Sequence, residues 1–397
     1  MSSHGIKDRV AIIGMGCTKF GERWDASTSD MVVDATNDAF ASAGISKDAI
    51  DAYWLGTLAS GFSGMTLSSA LKLDYKPVTR VENFCASGSE SFRNACYAVA
   101  SGAYDVVMAV GVEKLKDSGY SGLAYGGPPT NGTATTLTAP ARFSMLGPAY
   151  ANKYDVKRED FKQAMTHVAW KNHFNGARNE RAQFQAEVPE SKIAAAPPIA
   201  GDLGVFDCSG VSDGAAAAII VRAEDAHNYT DNPLYVKALS FAAGPGTGTY
   251  DQSYDYTTFE EVVRSAKDAY QQAGVTSPSD DLMMAEVHDC FTPTELVLME
   301  DLGFSTRGAT VKDTMNDRFT LTGDLPVNPD GGLKSFGHPI GASGLRMLFE
   351  CWLQLRGEAP ENRQIKEKGL RYGLTHNLGG GPGECVSFVS VVGAEKG

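Results

Sequence analysis

The amino-acid sequence predicts an α/β protein built from two similar halves, with a long insertion in the first half. Apolar runs typical of buried strands recur along the 397 residues and alternate with helical patterns, which favours α/β architecture. One helical segment and one glycine-rich segment of the first half return, in the same order, in the second. Residues 114–201 differ in composition from the segments around them. We therefore expect a duplicated domain that an insertion interrupts.

Four apolar runs are the strongest strand candidates. They cover residues 10–13, 106–112, 215–221 and 386–392. Each is short, rich in Val, Ile or Ala and free of charge, a pattern typical of strands that are buried on both faces.

Two echoes between the halves indicate the duplication. A helical pattern at 32–45 returns at 262–275, and both copies share Val-Val, Asp-Ala and a final Ala-Gly. An acidic linker and an apolar strand follow each copy. Cys-Ala-Ser-Gly at 85–88 is echoed by Gly-Ala-Ser-Gly at 341–344, and both segments open predicted helices. Two echoes in one order favour duplication over chance.

These patterns predict the domain organisation. The N-terminal half covers residues 1–113 plus about 202–230, the inserted loop domain covers 114–201, and the C-terminal half covers 231–397. The insertion begins with Gly, Pro, Thr and Tyr and continues as a polar helix. Long irregular insertions usually carry function, so we expect this one to cover a substrate site, packed down by Trp170, Phe174 and Phe184.

Composition and charge exclude several classes of function. The net charge is −13 and no long basic stretch offsets it, which argues against nucleic acid as a partner. No run approaches the roughly 18 apolar residues that span a bilayer. Seven cysteines without a C-x-x-C pair predict reduced thiols in the cytoplasm. No metal site is expected, because His167 and His173 lie six residues apart and face different sides of a helix.

Cys85 is the strongest candidate for a nucleophile. It precedes a helical pattern, where unpaired backbone N–H groups and the helix dipole favour a thiolate over a thiol. The neighbouring Ala86, Ser87 and Gly88 allow close approach of a substrate. A buried cysteine that merely begins a core helix fits this segment equally well.

Three later segments carry groups suited to catalysis. His288 and Cys290 follow a predicted strand two residues apart, so they point the same way if the strand continues. His338 lies in a glycine-rich turn before a helix. The glycines of 377–383 offer backbone N–H groups as oxyanion donors. Each also has a structural explanation: a core histidine or metal ligand, a helix cap and a tight turn. Together they favour catalysis.

Two other motif matches are rejected. Gly14 and Gly16 follow a strand like a dinucleotide fingerprint, but Lys19 stands where the third glycine belongs. Residues 210–214 match a hydrolase nucleophile elbow, but the segment that follows reads as a strand rather than a helix.

These motifs resemble those of thiolases. Cys-Ala-Ser-Gly, the Ser-Asp-Gly-Ala stretch at 212–215, Gly-His-Pro-Ile-Gly-Ala-Ser-Gly and the closing glycine segment occur in that family's order over nearly the whole chain. The resemblance implies a thiolase fold, a duplicated five-layer αβαβα arrangement with an inserted loop domain. His-Asp-Cys-Phe at 288–291 resembles the sterol-carrier-protein-type and archaeal branch. Typical thiolases have Asn-Glu-Ala-Phe there and a cysteine where this chain has Asn377.

The resemblance assigns a role to each candidate side chain. Cys85 would accept an acyl group as a thioester, and His338 would take its proton. Cys290 would move the proton at the α-carbon of the acyl-CoA enolate. His288 would help hold the enolate oxygen.

Backbone groups would complete such a site. By the same resemblance, the N–H groups of Cys85 and Gly379 form an oxyanion hole, with Asn377 and Gly380 in the adjoining loop. Carbon–carbon bond formation next to a thioester needs such a covalent carrier, base and oxyanion sites.

The function implied is an acyl-CoA C-acyltransferase. It would cleave a 3-oxoacyl-CoA with CoA, or run the reverse Claisen condensation, with CoA and acyl-CoA as substrates and no bound cofactor. The substrate is acetoacetyl-CoA in a biosynthetic thiolase, or a 3-oxoacyl-CoA with a bulky or aromatic chain in a degradative one, for which the small residues of 119–132 would leave room. The alternatives are a thiolase-like retro-aldolase, which the presence of Cys85 disfavours, a non-catalytic subunit and a ketoacyl synthase.

The resemblance also implies partners. Thiolases of this branch are homodimers or larger, and several work with a small partner that has an OB-fold and a zinc ribbon and can help bind CoA. Lys171, Arg178 and Arg181 of the insertion would contact CoA phosphates or form a solvated face.

Overall fold

Helices and strands alternate along the part of the chain that the computed structural model describes, which is residues 4–117, 124–125, 137–248, 250–366 and 372–397. The strands there are β1 (Val10–Cys17), β2 (Ala52–Gly56), β3 (Val78–Val81), β4 (Val106–Glu113), β5 (Ala124–Tyr125), β6 (Leu137–Thr138), β7 (Pro198–Ala200), β8 (Leu203–Gly204), β9 (Gly214–Arg222), β10 (Leu234–Ala243), β11 (Leu282–Glu286), β12 (Tyr372–Gly381) and β13 (Glu384–Gly393). The α-helices are α1 (Thr28–Ala43), α2 (Met65–Leu71), α3 (Ser87–Ala100), α4 (Ala139–Phe143), α5 (Leu146–Lys153), α6 (Arg158–Gly176), α7 (Glu190–Ala194), α8 (Glu260–Ala273), α9 (Pro278–Asp281), α10 (Thr292–Asp301), α11 (Thr310–Met315), α12 (Gly332–Ser335) and α13 (Ser343–Leu355).

The strand order confirms the duplication. The N-terminal half has the order β3-β2-β4-β9-β1, in which β2 is parallel to β3 and β4 while β9 is antiparallel to β4 and β1. In the C-terminal half β11, β12, β13 and β10 repeat the order and directions of β2, β4, β9 and β1. Val327 bridges Ala285 of β11 in parallel, in the place that β3 has in the first half.

The two half-sheets meet at a short seam. β1 and β10 are antiparallel and pair only through Ala11 with Tyr235 and Ile12 with Leu234. The nine strands therefore form one hydrogen-bonded sheet, although each half holds most of its own pairings.

The side chains of β9 show how the layers are stacked. Ala216, Ala218 and Ile220 pack into a central core with α3 and α13, whereas Ala217 and Ile219 pack into an outer core with α1. Strands buried on both faces in this way have no polar side to alternate with. With α8 and α10 on the outer face of the second half-sheet, the order is helix, sheet, helix, sheet, helix. The predicted five-layer αβαβα fold is confirmed.

The echoed segments occupy equivalent places. Helices α1 and α8 both end at a glycine in the left-handed region, Gly44 at φ 67 and Gly274 at φ 81. Helices α3 and α13 begin at the serines of the two Ala-Ser-Gly sequences. The segments also touch, since a Cβ added to Gly88 would lie 2.6 Å from the carbonyl oxygen of Gly341. Glycine is required here by the close approach of two backbones.

The insertion packs on the opposite half. Helix α6 lies against α10, α11 and α12, and Phe161 and Met165 are buried in the core shared with the C-terminal half. Trp170 and Phe174, which we expected to hold the insertion, are only half-buried, and Phe184 is 37% exposed. The buried apolar face of α6, which includes Phe161 and Met165, holds the insertion instead. The predicted domain boundaries stay a prediction.

The rejected dinucleotide motif has a packing explanation. Gly14 and Gly16 lie within β1, where an added Cβ would come 2.6 Å and 2.1 Å from the carbonyl oxygens of Ala39 and Ala35 in α1. The glycines thus let a helix approach a strand. Among the described residues, no helix has the length and apolar character that crossing a membrane requires.

Candidate active site

Cys85 lies in a tight turn immediately before α3. The N–H groups of Ala86 and Ser87 donate to the carbonyl oxygens of Asn83 and Phe84, each at 3.0 Å. Phe84 has φ 50, a left-handed conformation that is costly for an aromatic residue and that clusters at functional sites. This strain next to the candidate nucleophile gave no signal in the sequence.

The structure brings Cys85 together with both predicted histidines. The sulfur of Cys85 and one ring nitrogen each of His288 and His338 all lie within 4.8 Å of one another. The two imidazole rings are 5.3 Å apart and nearly perpendicular, at 84°. Cys85, His288 and His338 are 6%, 2% and 3% exposed. A thiol from one half thus meets two imidazoles from the other in a nearly dry centre.

Hydrogen bonds fix the tautomer of His338. The hydroxyl of Ser343 donates to the carbonyl oxygen of Pro339 at 2.9 Å and lies 2.7 Å from His338 Nδ1. Because the carbonyl can only accept, the hydroxyl oxygen accepts from Nδ1–H. Nε2 is then unprotonated, and it is buried without another partner. His338 is therefore arranged to accept a proton at Nε2.

Cys290 lies beside the same centre. Its carbonyl oxygen accepts the N–H of Ser209 at 2.9 Å, and the thiol is 3% exposed. Burial raises the pKa of Cys290 well above its ordinary value, and the neighbouring Cys85 and Asp289 raise it further. Cys290 is consequently a neutral thiol with a proton to give.

Asp289 anchors the loop that carries His288 and Cys290. Its carboxylate accepts the N–H groups of Leu333 and Lys334 at 2.6 and 3.1 Å, and the side-chain amide of Asn172 at 2.8 Å. The loop is thereby tied both to the segment before His338 and to α6 of the insertion.

The expectation that Cys85 is a thiolate is wrong. Burial, followed by the negative charge of Glu113, raises the pKa of Cys85 to about 12, and its own backbone N–H offsets this only in part. Burial and then Arg346 lower the pKa of His338 to about 3. The resting pair is thus a neutral thiol and a neutral imidazole, because desolvation outweighs the helix terminus.

Glu113, at the end of β4, is a component that the sequence did not reveal. Its fully buried carboxylate accepts five hydrogen bonds of 2.7–3.0 Å from both halves of the chain, and the donors are the side chains of Thr57 and Ser60 and the N–H groups of Leu58, Ala59 and Gly341. These five donors compensate the carboxylate for the hydrogen bonds to water that it loses on burial. It joins the loop after β2 to the segment after His338.

Arg346 connects the two segments that carry His288 and His338. Its guanidinium bonds Glu286 and Asp330, each at 2.5 Å, and all three side chains are 0% exposed. Glu286 ends the strand before His288, and Asp330 precedes the turn of His338. The charge of Arg346 also disfavours protonation of both histidines.

The closing glycine segment is a strand rather than the predicted loop. Residues 377–381 belong to β12, with Gly379 opposite Val386 of β13, and the chain turns only after Gly381. A Cβ on Gly379 would lie 2.4 Å from the carbonyl oxygen of Asn83. The strand therefore presses its backbone against the turn of Cys85, and this approach requires glycine.

Three other residues of β12 lie close to Gly379 in the sequence. Asn377 accepts the hydroxyl of Ser89 at 2.6 Å, and Gly380 has φ 98. His376 is fully buried with both ring nitrogens unpartnered, and burial lowers its pKa to about 3. Sequence reasoning missed His376, because a histidine in a strand gives no catalytic signal.

Comparison with known proteins identifies the family. The thiolase N-terminal domain matches residues 10–196, and the thiolase C-terminal domain-like family matches residues 245–389. The acetyl-CoA acetyltransferase of Methanothermobacter thermautotrophicus is 38% identical over 96% of this chain and 98% of its own length. The chain belongs to the thiolase family. Human sterol carrier protein 2 is a thiolase-like relative, 32% identical over 96% of this chain and 71% of its own length.

Solved structures share the thiolase fold. An Ltp2-ChsH2(DUF35) aldolase covers 99% of both chains with a TM-score of 0.83 and 22% identity. Human mitochondrial 3-ketoacyl-CoA thiolase covers 98% of this chain and 99% of its own, with a TM-score of 0.69 and 18% identity. Family and relatives make this protein an acyltransferase enzyme.

Two of the three basic residues expected to contact CoA phosphates, Lys171 and Arg178, form ion pairs within the chain. Lys171 is buried, bonding Glu295 at 2.8 Å and the carbonyl oxygen of Val327 at 2.8 Å. Arg178 pairs with Glu187 at 2.8 Å. Lys171 therefore neither forms a solvated face nor reaches out to CoA phosphates. Residues 119–123 and 126–132, from which we expected room for a bulky acyl group, lie outside the described residues.

Proposed function

We propose that this thiolase exchanges acyl groups between CoA and a 3-oxoacyl-CoA through a thioester on Cys85. The observation that carries the proposal is the convergence of Cys85, His288 and His338 within 4.8 Å, with Cys290 beside them. A nucleophile, a base with a free Nε2 and a second proton donor are the groups that this chemistry requires.

The first step is attack by the thiol. The proton of Cys85 passes to His338 Nε2 as sulfur attacks the 3-oxo carbon. Because burial disfavours both the free thiolate and the imidazolium, the ion pair forms only together with the new bond. The N–H groups of Cys85 and Gly379 are the proposed donors to the developing oxyanion.

Carbon–carbon cleavage follows. The bond between C2 and C3 breaks, which leaves an acyl group on Cys85 and the enolate of the shortened acyl-CoA. Cys290 donates its proton to C2 while His288 holds the enolate oxygen. A proton passing from His338 to Cys290 then returns both groups to neutrality. The thiol of CoA attacks the thioester, and its proton returns to Cys85. The reverse sequence is a Claisen condensation.

The relatives favour a short acyl group. Two archaeal proteins, 38% and 36% identical, are acetyl-CoA acetyltransferases by name, so acetoacetyl-CoA is the first substrate to test. A bulky or aromatic 3-oxoacyl-CoA in a degradative reaction is the second. CoA and acyl-CoA are the proposed substrates, without a resident cofactor. A retro-aldolase shares the fold, but an aldol cleavage has no use for the nucleophile at Cys85.

A second copy of this chain is the proposed partner. Strand β3 forms one edge of the nine-stranded sheet, and large apolar side chains near that edge are exposed: Phe62, Met65, Tyr75 and Phe84. Open edges and apolar patches of this kind mark association surfaces. We therefore propose a homodimer, which light scattering would measure directly. A small OB-fold and zinc-ribbon subunit remains a further proposed partner.

Intact mass spectrometry tests the proposal. Wild type and Cys85→Ser are incubated with acetyl-CoA and with a panel of aliphatic and aromatic 3-oxoacyl-CoAs, with and without the small partner. We expect an acyl adduct on wild type that Cys85→Ser lacks, and the substrate that labels fastest identifies the acyl class. Absence of any adduct, accompanied by cleavage of 3-hydroxyacyl-CoAs, would replace the thiolase proposal with the aldolase.

A further inference from the structure

The three groups at the catalytic centre have the composition of a metal site. Cys85 Sγ and a ring nitrogen each of His288 and His338 lie within 4.8 Å of one another. Ligands of a tetrahedral Zn²⁺ at about 2.0–2.3 Å from the metal are separated by roughly 3.3–3.8 Å. The atoms that are furthest apart therefore need to approach by about 1–1.5 Å. Within the described residues, no other set of three His, Cys, Asp or Glu side chains meets this spacing.

Each of the two rings also has a buried nitrogen that is free to bind a ligand. His338 Nε2 and His288 Nδ1 are buried without a hydrogen-bond partner. The Nδ1 of His338 is held by Ser343 at 2.7 Å, the kind of outer contact that orients a metal-binding imidazole. One sulfur and two nitrogens select Zn²⁺ or Co²⁺ over Mg²⁺ or Ca²⁺.

We propose that Cys85, His288 and His338 form an inhibitory zinc site that is occupied in alternation with substrate. Zn²⁺ binds as the thiol of Cys85 gives up its proton to solvent, so that one sulfur–zinc bond replaces one sulfur–hydrogen bond without redox change. Water fills the fourth position. The metal then holds both the nucleophile and the base, and no acyl transfer can begin. An acyl group on Cys85 excludes the metal in turn.

Cobalt substitution tests the site directly. Titration of the full chain with Co²⁺ gives a thiolate-to-cobalt charge-transfer band in the near ultraviolet and intense visible bands when the site is tetrahedral. We expect one Co²⁺ per chain, displaced by Zn²⁺, with Cys85→Ala lacking the charge-transfer band and His288→Ala binding at least tenfold more weakly. Cys208→Ala is the matched control, because Cys208 is the half-buried cysteine of the described residues and lies outside the cluster.

The outcomes separate this inference from the proposed function, since the cobalt bands require no turnover. A charge-transfer band that persists in Cys85→Ala, or that disappears in Cys208→Ala, overturns the site. So does the absence of any band in correctly folded wild type. Thermal unfolding of each variant verifies folding, and Cys85→Ser, which keeps the size of the side chain, is a second test if Cys85→Ala is unstable. Prior acetylation by acetyl-CoA should protect the enzyme from Zn²⁺.

Discussion

The segments 85–88 and 341–344 occupy equivalent positions in the two halves, but they present different chemistry. Ser87 closes its turn through backbone contacts, donating to the carbonyl of Phe84 at 2.6 Å and accepting the N–H of Asn83 at 3.0 Å. Ser343 also bonds a backbone carbonyl, but its oxygen holds the imidazole of His338. The duplication thus supplied two facing helix starts. Cys85, the proposed nucleophile, lies at one, and Ser343 at the other holds His338, the proposed base.

The helices that follow differ in charge. Two residues after the glycine of each segment, α3 carries Glu90 and α13 carries Arg346. Glu90 pairs with the partly exposed Arg93, whereas Arg346 is enclosed with two carboxylates. The C-terminal copy therefore contributes the buried charge that pairs with Glu286 and Asp330 beside the site.

The largest expected effect distinguishes the first residues of the two segments. Cys85→Ser should fold normally but lower kcat/KM at least ~10³-fold, because a hydroxyl, which is a weaker nucleophile, replaces the thiol in the covalent step. Gly341→Ala should fail for a different reason, since its Cβ would lie 2.5 Å from the carbonyl oxygen of Val112. Steady-state kinetics and thermal unfolding of both variants check this. An active Cys85→Ser or a fully stable Gly341→Ala would contradict it.

The second-largest expected effect is on stability, and it concerns the charged side chains of α3 and α13. Arg346→Met leaves two buried carboxylates unpaired, which should cost about 3–5 kcal/mol of unfolding free energy. Arg93→Met, at the partly exposed pair of α3, should cost no more than about 1 kcal/mol. Urea denaturation of the two variants measures the difference. Equal losses would refute the view that the two copies differ electrostatically.

The two serines give a smaller, catalytic effect. Ser343→Ala frees His338 Nδ1 and should lower kcat by roughly 10–100-fold with little change in KM, since the imidazole loses its defined tautomer. Ser87→Ala should change stability by about 1 kcal/mol and kcat far less. Full kinetics decide, and a larger kcat loss in Ser87→Ala would reverse the assignment.

The smallest expected effect is on the pH dependence of the alkylation rate of Cys85. With its pKa raised from 9.0 to about 12, alkylation by iodoacetamide should keep accelerating with pH up to about 12. The same shift contributes stability that is complete below pH 9.0 and is lost as the pH rises towards 12. Glu113→Gln removes a charge that raises this pKa, so alkylation at pH 9 should be several-fold faster.

Glu82 provides the control for that charge. It also raises the pKa of Cys85, but it is exposed, so Glu82→Gln should change the alkylation rate less than Glu113→Gln. A plateau in the rate near pH 9 would mean that Cys85 titrates like a free thiol.

Much of the fold could be predicted from local sequence patterns. The helices ending at Gly44 and Gly274 and the four apolar strands are confirmed, because each has its own periodicity or cap. The sequence predicts a loop at 377–383, whereas β12 continues to Gly381. Glycines at 379–381 give no strand signal, and only the pairing with β13 defines the strand there. The approach of Gly88 to Gly341 could be suspected from the echo, but its distance could not.

The candidate site likewise has residues that the sequence predicts and residues that it does not. Cys85, His288 and His338 could be proposed because their sequence motifs are distinctive, and the structure places them together. Glu113 could not, because its donors lie near residue 57 and at Gly341, far apart in the chain. The protonation state of Cys85 could not be predicted for a related reason: a helix terminus is visible in a sequence, whereas depth of burial is not.

The contact between α6 and the C-terminal half has a consequence for biosynthesis. Asn172 bonds Asp289 and Glu295, partners 117 and 123 residues further along the chain. At about 5–20 residues per second on the ribosome, α6 emerges roughly 6–25 s before these carboxylates exist. The N-terminal half therefore cannot complete its tertiary structure before the second half is made. During this interval Asn172 lacks its partners Asp289 and Glu295, so the nascent chain has an incompletely packed helix that chaperones and proteases can reach.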